Sequence, residues 1–321
     1  MDTGVIHLPS TNEGLLEGWQ AHHDSLFGKH TLKLNHRLTE SGLFTEDVLS
    51  ELVDRYPQEL YNLNTIGTDA RKQNWRDGHL DGVSGKDTIE AIKTGHLWLN
   101  LRNVMDVDKR YDDLLQSIFS EFENKVPGLK TFKQNLGILI SSPKMQVLYH
   151  SDVPGQGLWQ ITGRKRLYVY PNTEPFLPKD SLEGLILGET QEEIPYESWF
   201  DEYAEVHDLG PGEMVLWALN GPHRVENEDC LNISVTTEHY TSEIRKSYAV
   251  NYANGVLRRR LGYTPATSTT GGLSPYAKAA LTLFWKKLKL NRKREVVRMI
   301  DFVPDKSEPL GYRDIEPFVK G

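Results

Sequence analysis

Apolar positions recur at helical spacing in residues 45–56, TEDVLSELVDRY, where Val48, Leu49, Leu52 and Val53 form one stripe behind an acidic first turn. A second helix is predicted over 109–123, and between the two the segment LWLNL at 97–101 alternates as a strand does. From about residue 135 the pattern shortens. LGILISS, KRLYVYP, EMVLWAL and LNISVTT are strand-length runs separated by Gly, Pro and Asn, which predicts an antiparallel sandwich or barrel. After about 244 the chain turns helical again, with Ala, Leu, Phe and Trp mixed among lysines over 276–290. The expected organisation is a helical and irregular extension over 1–90, a β core over 91–243 and a helical extension over 244–321.

Composition narrows the chemistry. The 321 residues suffice for one large domain with extensions, and no run approaches the ~18 apolar residues of a membrane span. The first residues, MDTGVIHLPSTNEG, carry neither a basic leader nor an apolar stretch, so the expected location is the cytoplasm. With Cys230 as its single cysteine the chain can form no internal disulfide and no thiolate cage, so a bound metal must be held by His and carboxylates. A formal charge of −8 argues against a general nucleic-acid binder. Two basic clusters, Arg258 to Arg260 and Lys286, Lys287, Lys289, Arg292, Lys293 and Arg294, read as solvated helix faces.

His150 and Asp152 stand at i and i+2, so both can face one way from a strand end. A second histidine, His223, follows the apolar run MVLWAL in the phrase GPHRVEN. Two His and one carboxylate on one face of a metal leave positions open, as suits non-haem Fe(II) working with O₂. The His-x-Asp pair alone is weak, because His22/Asp24 and His79/Asp81 match it too. Context singles out His150/Asp152. It is followed by a strand in which Lys165 shares the inward face with Leu167 and Val169, while Arg166 and Tyr168 face out. An inward ammonium needs an anion, since burying an unpaired charge costs several kcal/mol. A bound dicarboxylate would supply one, and so would a structural Asp or Glu. In the last core strand Asn232, Ser234 and Thr236 alternate with Leu231, Ile233 and Val235; the small polar set faces either a lumen or water.

The runs YHSDVPGQGLWQITGRKRLYVYP and LGPGEMVLWALNGPHRVEN resemble the JmjC or cupin-8 group of 2-oxoglutarate oxygenases, most of all the factor-inhibiting-HIF-like asparaginyl hydroxylase branch, over residues 95 to 240. The resemblance implies a double-stranded β-helix, a jelly-roll barrel. It also implies Fe(II) on His150, Asp152 and His223, and 2-oxoglutarate held by Lys165 of the segment Gly163-Arg164-Lys165-Arg166. Thr236 and Gln156 fall where the family often has cosubstrate-binding asparagines, whereas Val147 replaces the family's threonine before the first His. The implied reaction hydroxylates or demethylates a substrate, with release of succinate and CO₂. Two other readings are a non-oxidative cupin enzyme using Zn²⁺ or Mn²⁺, whose His-x-His pair is missing here, and a non-catalytic ligand-binding barrel.

The substrate is a protein, a peptide or a small molecule. Between Glu183 and Asp208 the chain is rich in Glu and Asp, without Lys or Arg, and interleaved with Tyr196, Trp199, Phe200 and Tyr203. Such a segment near a barrel mouth would favour a cationic substrate; as a solvated loop it would not. An apolar stripe over 276–290, with Ala280, Phe284 and Leu288, can pack on the barrel or on a second copy, and the resemblance implies a homodimer through C-terminal helices.

Overall fold

The computed structural model describes residues 14–66, 75–80, 82–190, 194–265, 267–290 and 297–319. Arg292, Lys293 and Arg294, together with Asp81, Glu192 and Glu193, lie outside the described residues.

The core consists of β1 (Phe132–Ser141), β2 (Gln146–His150), β3 (Gly155–Thr162), β4 (Lys165–Val169), β5 (Glu205–Leu209), β6 (Glu213–Leu216), β7 (His223–Asn227) and β8 (Asn232–Tyr240). They pair antiparallel in two sheets, in the order β6-β3-β8-β1 and β5-β4-β7-β2. The chain passes from one sheet to the other at nearly every turn, which is the winding of a double-stranded β-helix. The protein is therefore mainly β with flanking helices, as the short alternating runs predict.

Period-2 alternation assigns the two faces of the larger sheet. Trp159, Ile161, Ile233 and Val235 point outward into the main core, where the helix Lys109–Lys125 lays down Leu115, Ile118, Phe119 and Phe122. The opposite face joins Leu158 and Val215 to Leu167, Val169, Leu209 and Val225 of the smaller sheet, closing an apolar lumen. The helix starts cleanly because the Asp108 carboxylate accepts from the Arg110 amide, and the helix Glu46–Asp54 is capped in the same way by Thr45.

The larger sheet does not stop at the barrel. Leu16–Glu17 and Leu32–His36 extend it beyond β6, while Trp98–Leu101, Tyr61–Ile66, Trp75–Gly78, Met299–Pro304 and Tyr312–Val319 extend it beyond β1. The end of the chain, expected to be helical, forms helices at Ser242–Leu261 and Ser274–Lys287 and then these last two strands. Met299–Pro304 lies parallel to Trp75–Gly78, and Arg76 ties the group together through Asp301 at 3.0 Å and Asp314 at 2.6 Å. No local pattern announces a strand whose partner lies more than two hundred residues away.

The Arg258 to Arg260 cluster is no solvated face. Arg258 pairs with the buried Glu183 at 2.9 Å, Arg259 with Glu189 at 3.1 Å and Asp180 at 2.9 Å, and Arg260 with Glu189. These pairs fasten the helix Lys179–Leu187 to the helix Ser242–Leu261.

Two core histidines set an acid limit. Burial pushes His36 and His239 each down to about 4. His36 accepts from the Leu38 amide at Nδ1 and donates through Nε2 to the Gln160 carbonyl at 3.1 Å. Because both folded values lie below the usual 6.5, the unfolded chain binds more protons between pH 6.5 and 4. Stability is then complete above about pH 6.5 and falls as the pH drops towards 4, by up to about 3 kcal/mol per residue. Urea midpoints across this range should decline, and His36→Gln should flatten the decline. A flat profile in the parent chain would refute the assignment.

Candidate active site

His150 ends β2 and His223 begins β7, and the two are paired in register across the smaller sheet. Their rings lie 4.1 Å apart between centroids, and His223 Nε2 is 3.4 Å from Asp152 Oδ2. One ligand atom from each of His150, Asp152 and His223 falls within 4.8 Å of the others. Atoms each 2.0–2.2 Å from one ion sit about 3 Å apart when adjacent, so small side-chain adjustments would close the set on a metal. The tautomers are already arranged. Nδ1 of His150 donates to the Leu148 carbonyl at 2.7 Å and Nδ1 of His223 to the Gly221 carbonyl at 3.0 Å, which leaves both Nε2 lone pairs free. Burial, and next the neighbouring His150, hold His223 well below the usual imidazole range, so it stays neutral and able to bind a cation.

The loop that carries Asp152 is held by a residue the sequence reading missed. Asn220, in the left-handed region at φ 57°, donates its amide to the Asp152 carbonyl at 2.7 Å, while its own carbonyl accepts from Ser151 Oγ at 2.9 Å. Its signal is the Asn-Gly turn directly before His223. The rival pair His22/Asp24 does not share this setting. Asp24 accepts from Trp19 Nε1, far along the chain from the barrel, and Asp81 is outside the described residues.

Lys165 points inward as its alternation predicts, and is 3% exposed. Among the described residues no carboxylate pairs with it. Burial pushes its ammonium down to about 7. The polar set of β8 also faces the lumen: Ser234 Oγ donates to Gln160 Oε1 at 2.7 Å and Gln160 Nε2 donates to Asn232 Oδ1 at 2.8 Å.

A cavity of about 810 Å³ holds His150, Asp152, His223, Gln156, Thr236 and Val147 in its lining. Lys165 is buried and does not line this cavity. The other walls went unread in the sequence. Asn62, Asn64, Asn100, Trp75 and Trp98 project from strands on the extended side of the larger sheet, Asn135 and Glu238 from β1 and β8, and Arg102 and Arg298 complete this part of the lining. For the asparagines of the extension the signal was the alternation in YNLNTI, where Asn62 and Asn64 stand two apart, and in LWLNL, where Asn100 stands two from Trp98. Gly137 keeps the floor open, since a Cβ there would meet Thr236 Oγ1 at 2.7 Å. A separate cavity of about 580 Å³, lined by Glu174, Pro178, Arg258 and Thr267, contains none of these groups.

Four carboxylates of the acidic stretch are engaged elsewhere. Glu183 and Glu189 bind the arginine cluster, Asp201 pairs with Arg224 at 2.7 Å, and Asp208 with Arg166 at 2.6 Å. Phe200 is buried against Phe176 and Tyr149, and Tyr196, Trp199 and Tyr203 ring that cluster half-exposed. Among the described residues of 183–208 the cavity lining includes Leu185 and Thr190 but no acidic side chain.

Barrel, strand order and the position of the His-Asp-His cluster together define a JmjC/cupin-type fold. The X-ray structure of Escherichia coli YcfD superposes with a TM-score of 0.51 at 15% identity, covering 90% of this chain and 75% of that one. A second YcfD structure, described as a ribosomal oxygenase in complex with cobalt and 2-oxoglutarate, gives 0.48 at 14%, with 91% and 74% covered. No family model matches the chain, and no curated protein matches it. The likeness reaches the fold and does not single out the factor-inhibiting-HIF branch.

Proposed function

We propose that the protein is an Fe(II)- and 2-oxoglutarate-dependent oxygenase. The observation that carries the reading is the convergence of two imidazole Nε2 atoms and one carboxylate at the end of a barrel that also buries Lys165, which has no carboxylate partner among the described residues. The donor set fits a divalent iron, because neutral nitrogen and carboxylate oxygen leave positions for cosubstrate and O₂. When bound there, Fe(II) with 2-oxoglutarate supplies O₂ activation, and the cosubstrate is converted to succinate and CO₂ as a substrate C–H bond is hydroxylated.

The chain's own residues do the rest. His150, Asp152 and His223 hold the metal, and Asn220 keeps the Asp152 loop in place. Lys165 receives the distal carboxylate, which restores its charge. Thr236 and Gln156 flank the cosubstrate from the cavity wall, and Leu158, Trp217 and Val225 keep water from the reacting centre. An ammonium turned into this largely apolar lumen favours this reading over a non-oxidative cupin enzyme, whose chemistry gives it no partner. Fe(II)-dependent release of succinate from 2-oxoglutarate is the test.

The cavity is also long. Asn135 pairs with Glu238 and Ser141 with Trp98, six residues apart on β1, which corresponds to about 20 Å. An extended substrate such as a peptide suits that length. No helix among the described residues is long and apolar enough to cross a membrane, and the lone Cys230 suits the reducing cytoplasm.

A homodimer through the C-terminal helices completes the proposal. Thr282 turns the inner face of Ser274–Lys287 onto Ala249, while Tyr276, Leu283, Phe284 and Leu288 remain exposed. Light scattering at micromolar concentration should give twice the 36.7 kDa chain mass, and Leu283→Glu with Phe284→Glu should halve it. A monomeric parent chain would reject this part.

A further inference from the structure

Resting on the oxygenase reading of this cavity, we infer that Glu238 selects the substrate: it receives a positively charged hydrogen-bond donor, an ammonium or guanidinium, beside the metal centre. Glu238 lies on β8 opposite Gln156 of β3 and Asn135 of β1. Gln156 follows Asp152 by four residues, so the carboxylate stands at the end of the barrel where the metal ligands converge. Glu238, Gln156, Asn135 and the three metal ligands line one cavity.

What sets Glu238 apart is its company. It accepts from Gln156 Nε2 at 3.3 Å and from Asn135 Nδ2 at 3.2 Å, two neutral donors at long range. Among the described residues no Lys, Arg or His comes within ion-pair distance of it. The other non-ligand carboxylate in the lining, Asp77, has Arg298 at 3.6 Å. Asn135, having turned its N–H₂ to Glu238, leaves its buried Oδ1 with no hydrogen-bond partner. Two acceptors therefore stand side by side with too few donors, and a carboxylate partly removed from water gains most from a partner that brings both protons and charge.

The opposite side of the cavity carries Arg102 and Arg298. Arg298 donates to Asn62 Oδ1 at 2.6 Å, and the Arg102 amide donates to the Leu60 carbonyl, so both guanidiniums flank the start of Tyr61–Ile66. Negative charge near the metal and positive charge farther out orient a substrate that presents its cation first. Selection in this reading comes from Glu238; in the acidic stretch over 183–208, Glu183, Glu189, Asp201 and Asp208 are paired with arginines outside the cavity.

The test measures binding rather than turnover. Zn(II)- and 2-oxoglutarate-loaded protein is titrated with n-butylguanidinium and with its neutral near-isostere n-butylurea, followed by ligand-observed NMR. The parent chain should prefer the cation at least tenfold, a preference that weakens with added salt, and Glu238→Gln should bring the two ligands within twofold while Asp77→Asn keeps the preference. Equal binding of the two ligands to the parent chain would overturn the inference without any variant, and so would a preference that survives Glu238→Gln. Charge selection without Fe(II)-dependent succinate release would leave Glu238 as a cation site and remove the oxygenase reading; the converse result would remove Glu238 alone.

Discussion

His223→Ala should abolish Fe(II) binding at micromolar metal and lower 2-oxoglutarate turnover by roughly 10³-fold or more, because a two-ligand site neither holds the ion nor orients what it carries. His150→Ala and Asp152→Ala should behave alike. The fold should survive. His223 gives up one hydrogen bond to the Gly221 carbonyl and its ring contacts with Trp217 and His150, a loss of about 1–3 kcal/mol that leaves the strand pairing of β7 intact. Asp152→Asn separates charge from shape, since it keeps the volume and the backbone bond to Asn220 while removing the anionic ligand. Metal titration with a circular-dichroism melt checks both halves. Undiminished turnover in His223→Ala would show that the metal lies elsewhere.

Lys165→Met should raise the KM for 2-oxoglutarate by about 10²-fold or more, the equivalent of ~2–5 kcal/mol for removing one member of a buried charge pair. The same substitution should raise the melting temperature of the cosubstrate-free protein, because an apolar side chain of similar length replaces an ammonium that is buried without a carboxylate partner. Opposite movements of affinity and stability would mark Lys165 as a binding residue and exclude a merely structural one. The sign of the pH effect follows from burial. The free protein has Lys165 near 7, and a bound carboxylate raises that value, so binding takes up a proton. Affinity should be highest below pH 7 and fall above it by up to tenfold per pH unit, and Lys165→Met should remove that slope. A pH-independent affinity with an unchanged KM would place the distal carboxylate on another residue.

The part of the site written locally in the sequence was legible there. His150 and Asp152 are two residues apart at a strand end, and His223 follows an apolar run, so their convergence needs only one strand pairing. The inward face of Lys165, Leu167 and Val169 follows from period 2 alone, whereas period 2 gives Ser234 and Thr236 only a shared face and the packing of the two sheets turns it to the lumen. What escaped depends on long-range pairing. Asn62, Asn64 and Asn100 reach the cavity because Tyr61–Ile66 pairs with Trp98–Leu101 and that strand with β1. Arg258 to Arg260 looked solvated because Glu183 and Glu189 lie some seventy residues away. The strands Met299–Pro304 and Tyr312–Val319 were invisible for the same reason, since their short alternation gains meaning only beside Trp75–Gly78.

The most direct test is the fate of 2-oxoglutarate. Protein freed of metal, then supplied with Fe(II), ascorbate, 2-oxoglutarate and air, should release succinate even without its substrate, slowly, and should stop when Fe(II) is omitted or His223 is Ala. Absence of Fe(II)-dependent succinate from a folded protein shown to bind both Fe(II) and 2-oxoglutarate would contradict the assignment.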